Sequence, residues 1–276
     1  MSSESSLPDK PVTNLGWRVT MAGLGINLAL GVLYSWSVVK DGMEQADWKW
    51  SDVELSLPYS VACLVFCLVM VPAGRMQDKL GPRLVATIGG VLVGAGMLLA
   101  GLMGNSVAGY VIGFGVLAGA GIGFGYASAT PPAVKWFPPS KTGLIAGLVV
   151  SGFGLASVYI APLATKLISL YGIDYTVIGL GIGFLVVVCG LAQLLAPPPK
   201  GYVPQESDSK VAAGPARKLV DFSPSEMLKT WQFYALWFMY ACGAGAGLMV
   251  ISIAKSLGKG AEAGVIAVVA LAIGNG

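Results

Sequence analysis

The chain has 276 residues, of which 55% are hydrophobic and 11% are charged, and its mean hydropathy is +0.74. Soluble domains carry about 25% charged residues, so this composition indicates a protein that lies in a lipid bilayer. A net charge of +3 is too small to predict nucleic-acid binding, and the absence of histidine excludes a Ser-His or Cys-His catalytic pair and a histidine-ligated metal or haem.

Six apolar runs are long enough for transmembrane helices, which need about 20 residues to cross the hydrocarbon core. In chain order they are 17–39, 55–73, 84–104, 109–130, 143–167 and 173–196. A seventh run covers 230–254, and an eighth begins near Glu262 but has only about a dozen apolar residues, too few to cross a bilayer. We therefore predict an all-α membrane protein that is incomplete at its C-terminus.

The polar segments divide this series of runs into four parts. Residues 1–16 form a polar tail without the pattern of a signal peptide, and 17–196 form a six-helix transmembrane bundle. Residues 197–229 form a loop with a flexible linker at 205–214, and 230–276 begin a second bundle. Within the loop, Ser223-Pro-Ser-Glu226 predicts a capped short helix that leads into Trp231, although an ordinary helix start without further role explains it equally well.

Positive charges are distributed unequally between the two ends of the predicted helices. Twelve Lys and Arg residues fall on the side of the N-terminus and of the loop 197–229, and five fall on the other side. Cytoplasmic loops are the ones enriched in Lys and Arg. The distribution predicts a multi-pass protein of the inner or plasma membrane with a cytoplasmic N-terminus.

The turn between the second and third runs is unusually charged. We expect Gly74 to end the second helix and to let a neighbouring helix approach, while Gly81-Pro82 turns the chain into the third. Asp78 would pair with a cation or face a helix N-terminus at the cytoplasmic rim, and Arg83 is available as its partner or as a lipid anchor. Such a cluster would act as a gate that forms when the cytoplasmic side closes. A plain topology signal explains the basic residues, but not the spacing of Gly74, Asp78 and Gly81.

The polar and aromatic residues inside the runs are candidates for substrate contact: Asn27, Tyr34, Tyr59, Tyr126 and Phe153. Tyr34 and Tyr126 rank first because each follows a glycine by three residues, as expected for inverted three-helix repeats, although chance similarity is equally possible. Packing inside the bundle is the alternative for every one of them. No charged residue lies near the middle of the six complete runs, so an anionic substrate would need a cation from elsewhere, and a neutral substrate is the alternative.

The cysteines and glycines of the runs have a simpler interpretation. Cys63 and Cys67 share a helix face, but they form a weak metal signal, so we interpret all four cysteines as small buried residues and predict no cofactor. A dinucleotide-like GxGxxA pattern at 113–118 has no strand before it. Its glycines and those that follow are predicted to be helix-packing positions: Gly115, Gly119, Gly121, Gly123 and Gly125.

Two groups of motifs resemble a known family. The spacing Gly74-x-x-x-Asp78-Lys79-x-Gly81-x-Arg83 resembles the loop motif between helices 2 and 3 of the major facilitator superfamily. That resemblance implies twelve helices in two bundles joined by a cytoplasmic loop, for which 197–229 is suitably placed. The segments 119–126, 134–138, 143–147, 151–154 and 223–230 are similar to the oxalate/formate antiporter group, which is related to monocarboxylate transporters.

The resemblance implies a secondary transporter rather than an enzyme. Its substrate would be a small organic anion of the monocarboxylate, formate or oxalate class, moved by alternating access in exchange for a counter-substrate or together with protons, in contact with membrane lipid. Relatives place aromatic residues of helices 1, 4 and 5 around the substrate, and an arginine just beyond the segment that 274–276 resembles. A sugar or drug porter of the same superfamily, and a membrane receptor or enzyme, are the alternatives; the exact substrate, the coupling mode and the oligomeric state stay open.

Overall fold

The computed structural model describes residues 14–199, 201–204 and 222–252, and within these ranges the chain is helical and contains no strand. Six helices are long and apolar enough to cross a membrane: α1 (Gly16–Gln45), α2 (Asp52–Leu80), α3 (Pro82–Leu102), α4 (Val107–Val134), α5 (Pro139–Tyr171) and α6 (Ile173–Ala192). Two further helices follow, α7 (Pro224–Met227) and α8 (Trp231–Ser252). The predicted all-α membrane protein is confirmed.

Each of the first seven apolar runs corresponds to one helix, but one predicted boundary is wrong. The second helix does not end at Gly74, because α2 continues to Leu80 and Gly81 is its C-terminal cap, with a φ of +89°. A positive φ suits glycine, and the following Pro82 disfavours helical geometry in the residue before it. Gly74 lies inside α2 and does not have a positive φ, so its backbone geometry does not require glycine. The predicted linker at 205–214, the eighth run and most of the N-terminal tail lie outside the described residues.

Glycines on two faces of α4 bring this helix close to both of its neighbours. On one face, a methyl group added at Gly119 would lie 2.9 Å from the backbone of Ala62 on α2. On the other face, a methyl group at Gly121 would lie 2.6 Å from the carbonyl oxygen of Gly89 on α3. No side chain fits at such distances, so the helix backbones are in direct contact. The prediction that these glycines are packing positions is confirmed, and α4 lies between α2 and α3.

Three side chains donate hydrogen bonds to carbonyl groups of other helices or of the segment after α6. At one end, Arg83 Nε donates to the Leu195 carbonyl oxygen at 2.7 Å, and Trp136 Nε1 donates to the Ala196 carbonyl oxygen at 2.8 Å. At the other end, Trp36 Nε1 donates to the Leu55 carbonyl oxygen at 3.1 Å. The first two bonds satisfy carbonyl groups just after α6, where the helix ladder has ended. The third bond joins α1 to the first turn of α2.

The short helix before α8 begins with the predicted capping residues. The Ser223 hydroxyl donates to Glu226 Oε2 at 2.7 Å, and the Ser223 backbone N–H donates to the same oxygen at 2.8 Å. These two hydrogen bonds favour the charged carboxylate and lower the pKa of Glu226. The prediction of a capped helix start is confirmed, and α8 begins at Trp231 as expected.

The contact between α3 and α4 predicts a selective effect of added volume. Gly89→Ala would place a methyl group 2.7 Å from both the Gly121 carbonyl oxygen and the Gly125 nitrogen, so we expect a loss of about 1–3 kcal/mol in the free energy of unfolding. Gly179→Ala is the matched control, because a methyl group there meets nothing within 4 Å. Thermal unfolding midpoints in one detergent measure the difference, and equal midpoints for the two variants would contradict it.

Candidate functional site

A cavity of about 570 Å³ lies between α1, α2, α4, α5 and α8. It is bounded both by the six-helix unit and by the helix that follows the loop. Its wall contains an aromatic side chain from each of these five helices: Tyr34, Phe66, Tyr126, Phe153 and Tyr240. A volume of several hundred Å³ is in the usual range for sites that bind small molecules.

A local change in helix type places Tyr34 at this cavity. The middle of α1, Gly31–Ser35, is a 3₁₀ helix, and a methyl group at Gly31 would clash with the carbonyl oxygen of Phe153 and with Ala156. The missing side chain therefore lets α1 touch the backbone of α5 at this point. As a result Tyr34 lies beside Phe153, with ring centroids 5.3 Å apart.

Phe153 is the centre of the aromatic wall. The rings of Tyr34 and Tyr126 each meet it edge to face at centroid distances of 5.3 Å, with interplanar angles of 84° and 83°. Phe66 lies nearly parallel to it at 6.1 Å and meets Tyr126 edge to face at 5.6 Å. Such pairs each contribute about 0.5–1.5 kcal/mol beyond burial, so the four rings hold one another in position.

The described part of the cavity wall is uncharged. No Asp, Glu, Lys or Arg side chain lines the cavity among the residues that the structure describes, and its side-chain polar groups are tyrosine hydroxyls and thiols. Such a wall can offer hydrogen bonds to a ligand but cannot neutralise a full charge. The prediction that an anion would need a cation from elsewhere stays a prediction.

The structure brings together three of the five residues that the sequence proposes for substrate contact. Tyr34, Tyr126 and Phe153 line the cavity, whereas Asn27 and Tyr59 do not. Asn27 is fully buried, and its Nδ2 donates to the Val149 carbonyl oxygen of α5 at 2.8 Å. Tyr59 is also buried, on α2. Asn27 thus packs between α1 and α5, and substrate contact by any of the five residues stays a prediction.

The sequence analysis missed most of the wall that α2 contributes. Cys63, Phe66, Cys67 and Met70 all line the cavity, and their spacing of three, four and seven residues is that of one helix face. That spacing was the signal that could have found them. The interpretation of the cysteines as buried is wrong, since Cys67 and Cys242 are exposed and Cys63 and Cys189 are partly exposed.

The charged turn after α2 makes contacts with two other parts of the bundle. Asp78 Oδ1 lies 3.6 Å from Lys135 Nζ at the end of α4, so the expected cation is Lys135 and not a residue of the same turn. Arg83 is bonded to the Leu195 carbonyl oxygen instead. Around Gly74, a methyl group would meet nothing within 4 Å among the described residues, so the close helix approach expected there is not found in this part of the chain.

Comparison with known proteins adds independent findings. Residues 12–276 match the sequence model of the Major Facilitator Superfamily. The uncharacterized MFS-type transporter YhjX of Escherichia coli (strain K12) is 29% identical over 245 residues, which cover 88% of this chain and 58% of that protein. The oxalate:formate antiporter of Oxalobacter formigenes is 27% identical over 263 residues, covering 92% and 59%. The chain therefore spans about three-fifths of the length of these two curated relatives.

A shorter match involves a third transporter. Apicoplast pyruvate carrier 1 of Toxoplasma gondii is 33% identical over 96 residues, which cover 35% of this chain and 17% of that carrier. This match is too short to describe the whole chain.

The placement of Asn27 predicts a loss of stability without an effect on a cavity ligand. Asn27→Ala removes a buried interhelical hydrogen bond, so we expect the free energy of unfolding to fall by about 0.5–1.5 kcal/mol. Ser151→Ala is the control on α5, because the Ser151 hydroxyl bonds only to Leu148 of its own helix. Thermal unfolding gives the stability difference. A change in ligand affinity with unchanged stability would place Asn27 in the binding site instead.

Proposed function

This chain belongs to the Major Facilitator Superfamily, and we propose that it forms part of a secondary transporter that moves a small carboxylate across a membrane by alternating access. The six apolar helices and the family membership make it a multi-pass membrane protein. Members of this family bind and transport small molecules. The observation that carries the proposal is the position of the aromatic cavity between the six-helix unit and α8, the first helix after the loop.

The substrate class is supported by the relatives. One of them is an oxalate:formate antiporter, at 27% identity, and another is a pyruvate carrier, at 33% identity over a short stretch. Oxalate, formate and pyruvate are all small carboxylates. The class is therefore a small organic anion, with a second organic anion as the counter-substrate of an exchange or a proton as the coupled ion.

The cavity would act on such an anion through hydrogen bonds rather than through charge. The hydroxyl groups of Tyr34, Tyr126 and Tyr240 are the donors that the described wall offers to a carboxylate. Removing a carboxylate from water costs several kcal/mol unless a positive charge or several hydrogen bonds replace the lost solvent. We therefore assign the neutral, orienting part of the site to these residues, and the neutralising cation to residues outside the described part of the chain.

The ion pair between α2 and α4 is suited to a reversible gate. The side chains of Asp78 and Lys135 are 66% and 52% exposed, so water screens their attraction. Exposed ion pairs contribute only about 0–1 kcal/mol, which makes them easy to break when helices move. We place this pair on the cytoplasmic side, as the distribution of Lys and Arg predicts, and expect it to bias the equilibrium between inward-facing and outward-facing states.

Counterflow in proteoliposomes tests the transport function. We expect the full-length protein to exchange labelled lactate, formate or oxalate. We expect Tyr126→Phe to raise the KM about 10- to 100-fold, since a hydrogen bond to a charged group contributes about 1.5–3 kcal/mol. Tyr110→Phe is the control, because its hydroxyl is buried and has no hydrogen-bond partner among the described residues. If the protein exchanges sugars or drugs but no carboxylates, the proposed substrate class is wrong and the substrate is neutral or drug-like. If no solute moves, the transport proposal is wrong.

The gate predicts a change in conformational balance. Asp78→Asn should change the accessibility of a single introduced cysteine to reagents applied from each side of the membrane, while the free energy of unfolding changes by less than about 1 kcal/mol. Lys79→Gln removes a neighbouring charge that makes no ion pair among the described residues, and it should leave accessibility unchanged. The double variant Asp78→Lys, Lys135→Asp exchanges the two charges and should restore the original balance between inward-facing and outward-facing states. Unchanged accessibility in Asp78→Asn would reduce the turn to a topology signal.

A further inference from the structure

We propose that the cavity wall carries a binding site for a soft monovalent metal ion, Cu(I) or Ag(I), formed by Cys63 and Cys67 with methionine sulfurs beside them. Four sulfur-containing side chains line this one cavity: Cys63, Cys67, Met70 and Met239. Three of them come from α2 and the fourth comes from α8. The observations that support this metal site do not depend on the carboxylate transport proposed above.

The three sulfur residues of α2 lie on one face of the helix. Cys67 follows Cys63 by four residues and Met70 follows it by seven, the spacing that places side chains one above another along a helix. Neither thiol is in a disulfide, Cys67 is exposed and Cys63 is partly exposed. The Cys63 thiol is hydrogen-bonded to the Tyr59 hydroxyl. Met239 is 69% exposed on α8, so its thioether is also accessible from the cavity.

The spacing of the two thiols suits a metal ion better than a disulfide. Side chains four residues apart on a helix have Cβ atoms about 5–6 Å apart, whereas a disulfide needs Cβ atoms about 3.5–4.5 Å apart. A metal–thiolate bond is about 2.3 Å long in zinc sites, so two sulfurs on opposite sides of an ion are about 4.6 Å apart. That separation is compatible with the Cβ spacing without distortion of α2.

The ligand types select the metal. Thiols and thioethers are soft ligands that favour Cu(I), whereas Mg²⁺, Ca²⁺ and Mn²⁺ prefer carboxylate and carbonyl oxygens. No carboxylate lines the described cavity wall, and the chain contains no histidine. Binding releases both thiol protons to water, because the thiolate and not the thiol is the metal ligand. Two thiolates and one monovalent ion leave a single negative charge, and the neutral thioethers add no further charge.

The position of the site has a consequence for transport, and this step rests on the proposed function. The sulfur residues and the aromatic residues line the same cavity, with Phe66 lying between Cys63 and Cys67 in the sequence and on the same helix face. A metal ion held there would occupy the space next to the aromatic wall. Metal and organic substrate should therefore exclude each other.

Titration of the purified full-length protein with Ag(I) tests the binding site. We expect Cys63→Ser and Cys67→Ser each to weaken binding of one Ag(I) by about 100-fold or more, since even outer-shell partners of metal ligands cost about 10–100-fold when they are removed. Cys189→Ser is the matched control: its thiol contacts the Thr87 carbonyl oxygen at 3.7 Å and does not line the cavity, so binding should be unchanged. Equal affinities in all three variants, or an equal loss in Cys189→Ser, would overturn the proposal.

Two further measurements keep the test decisive if a cysteine variant fails to fold. The variant Met70→Leu should fold and should weaken Ag(I) binding several-fold. X-ray absorption of the wild-type protein loaded with Cu(I) should show only sulfur atoms bound to the metal. A coordination shell of nitrogen or oxygen would overturn the site. In proteoliposomes, Ag(I) should inhibit carboxylate exchange by the wild type and not by Cys67→Ser. Ag(I) binding without any carboxylate exchange would overturn the proposed function and leave the metal site intact, whereas exchange without Ag(I) binding would do the reverse.

Discussion

Direct backbone contact at the glycines of α4 is the constraint on which the rest of the bundle depends. Gly119 meets α2 at Ala62, and Gly121 meets α3 at Gly89, at distances that leave no room for a side chain. Hydrophobic burial cannot drive helix association inside a lipid bilayer, because lipid tails are as apolar as the side chains, so close packing takes that role. The position of α4 between its neighbours then decides which residues of α2 and α4 meet.

The cavity follows from this packing. With α4 against α2, the ring of Tyr126 meets Phe66, and the contact of α1 with α5 at Gly31 adds Tyr34 and Phe153. Aromatic contacts fix the rings, and the sulfur residues of α2 lie along the same face. One surface thus combines hydroxyl donors, ring faces and soft sulfur atoms without a charged group among the described residues, which suits it to orient a ligand more than to neutralise one.

The turn between α4 and α5 joins several elements at one end of the bundle. Its three consecutive residues contact different elements: Lys135 pairs with Asp78 at the end of α2, Trp136 bonds to Ala196 after α6, and the ring of Phe137 lies 5.4 Å from that of Trp17 on α1. Of these contacts, the ion pair is exposed and weak, while Trp136 is buried. A movement of α2 relative to α4 would therefore break the ion pair first and leave the other two contacts in place.

Within the described part of the chain, the amino-acid sequence by itself determined the order and type of the membrane helices, because a run of about 20 apolar residues has few other stable states in a membrane. It also determined the packing role of the α4 glycines and the capped start of α7. Only the tertiary structure decided that Tyr34, Tyr126 and Phe153 meet while Asn27 is buried against α5, and that Cys67 faces the cavity. The reason is that an apolar run is hydrophobic on every side, so its sequence carries little information on the rotation of the helix, which contacts with neighbouring helices fix.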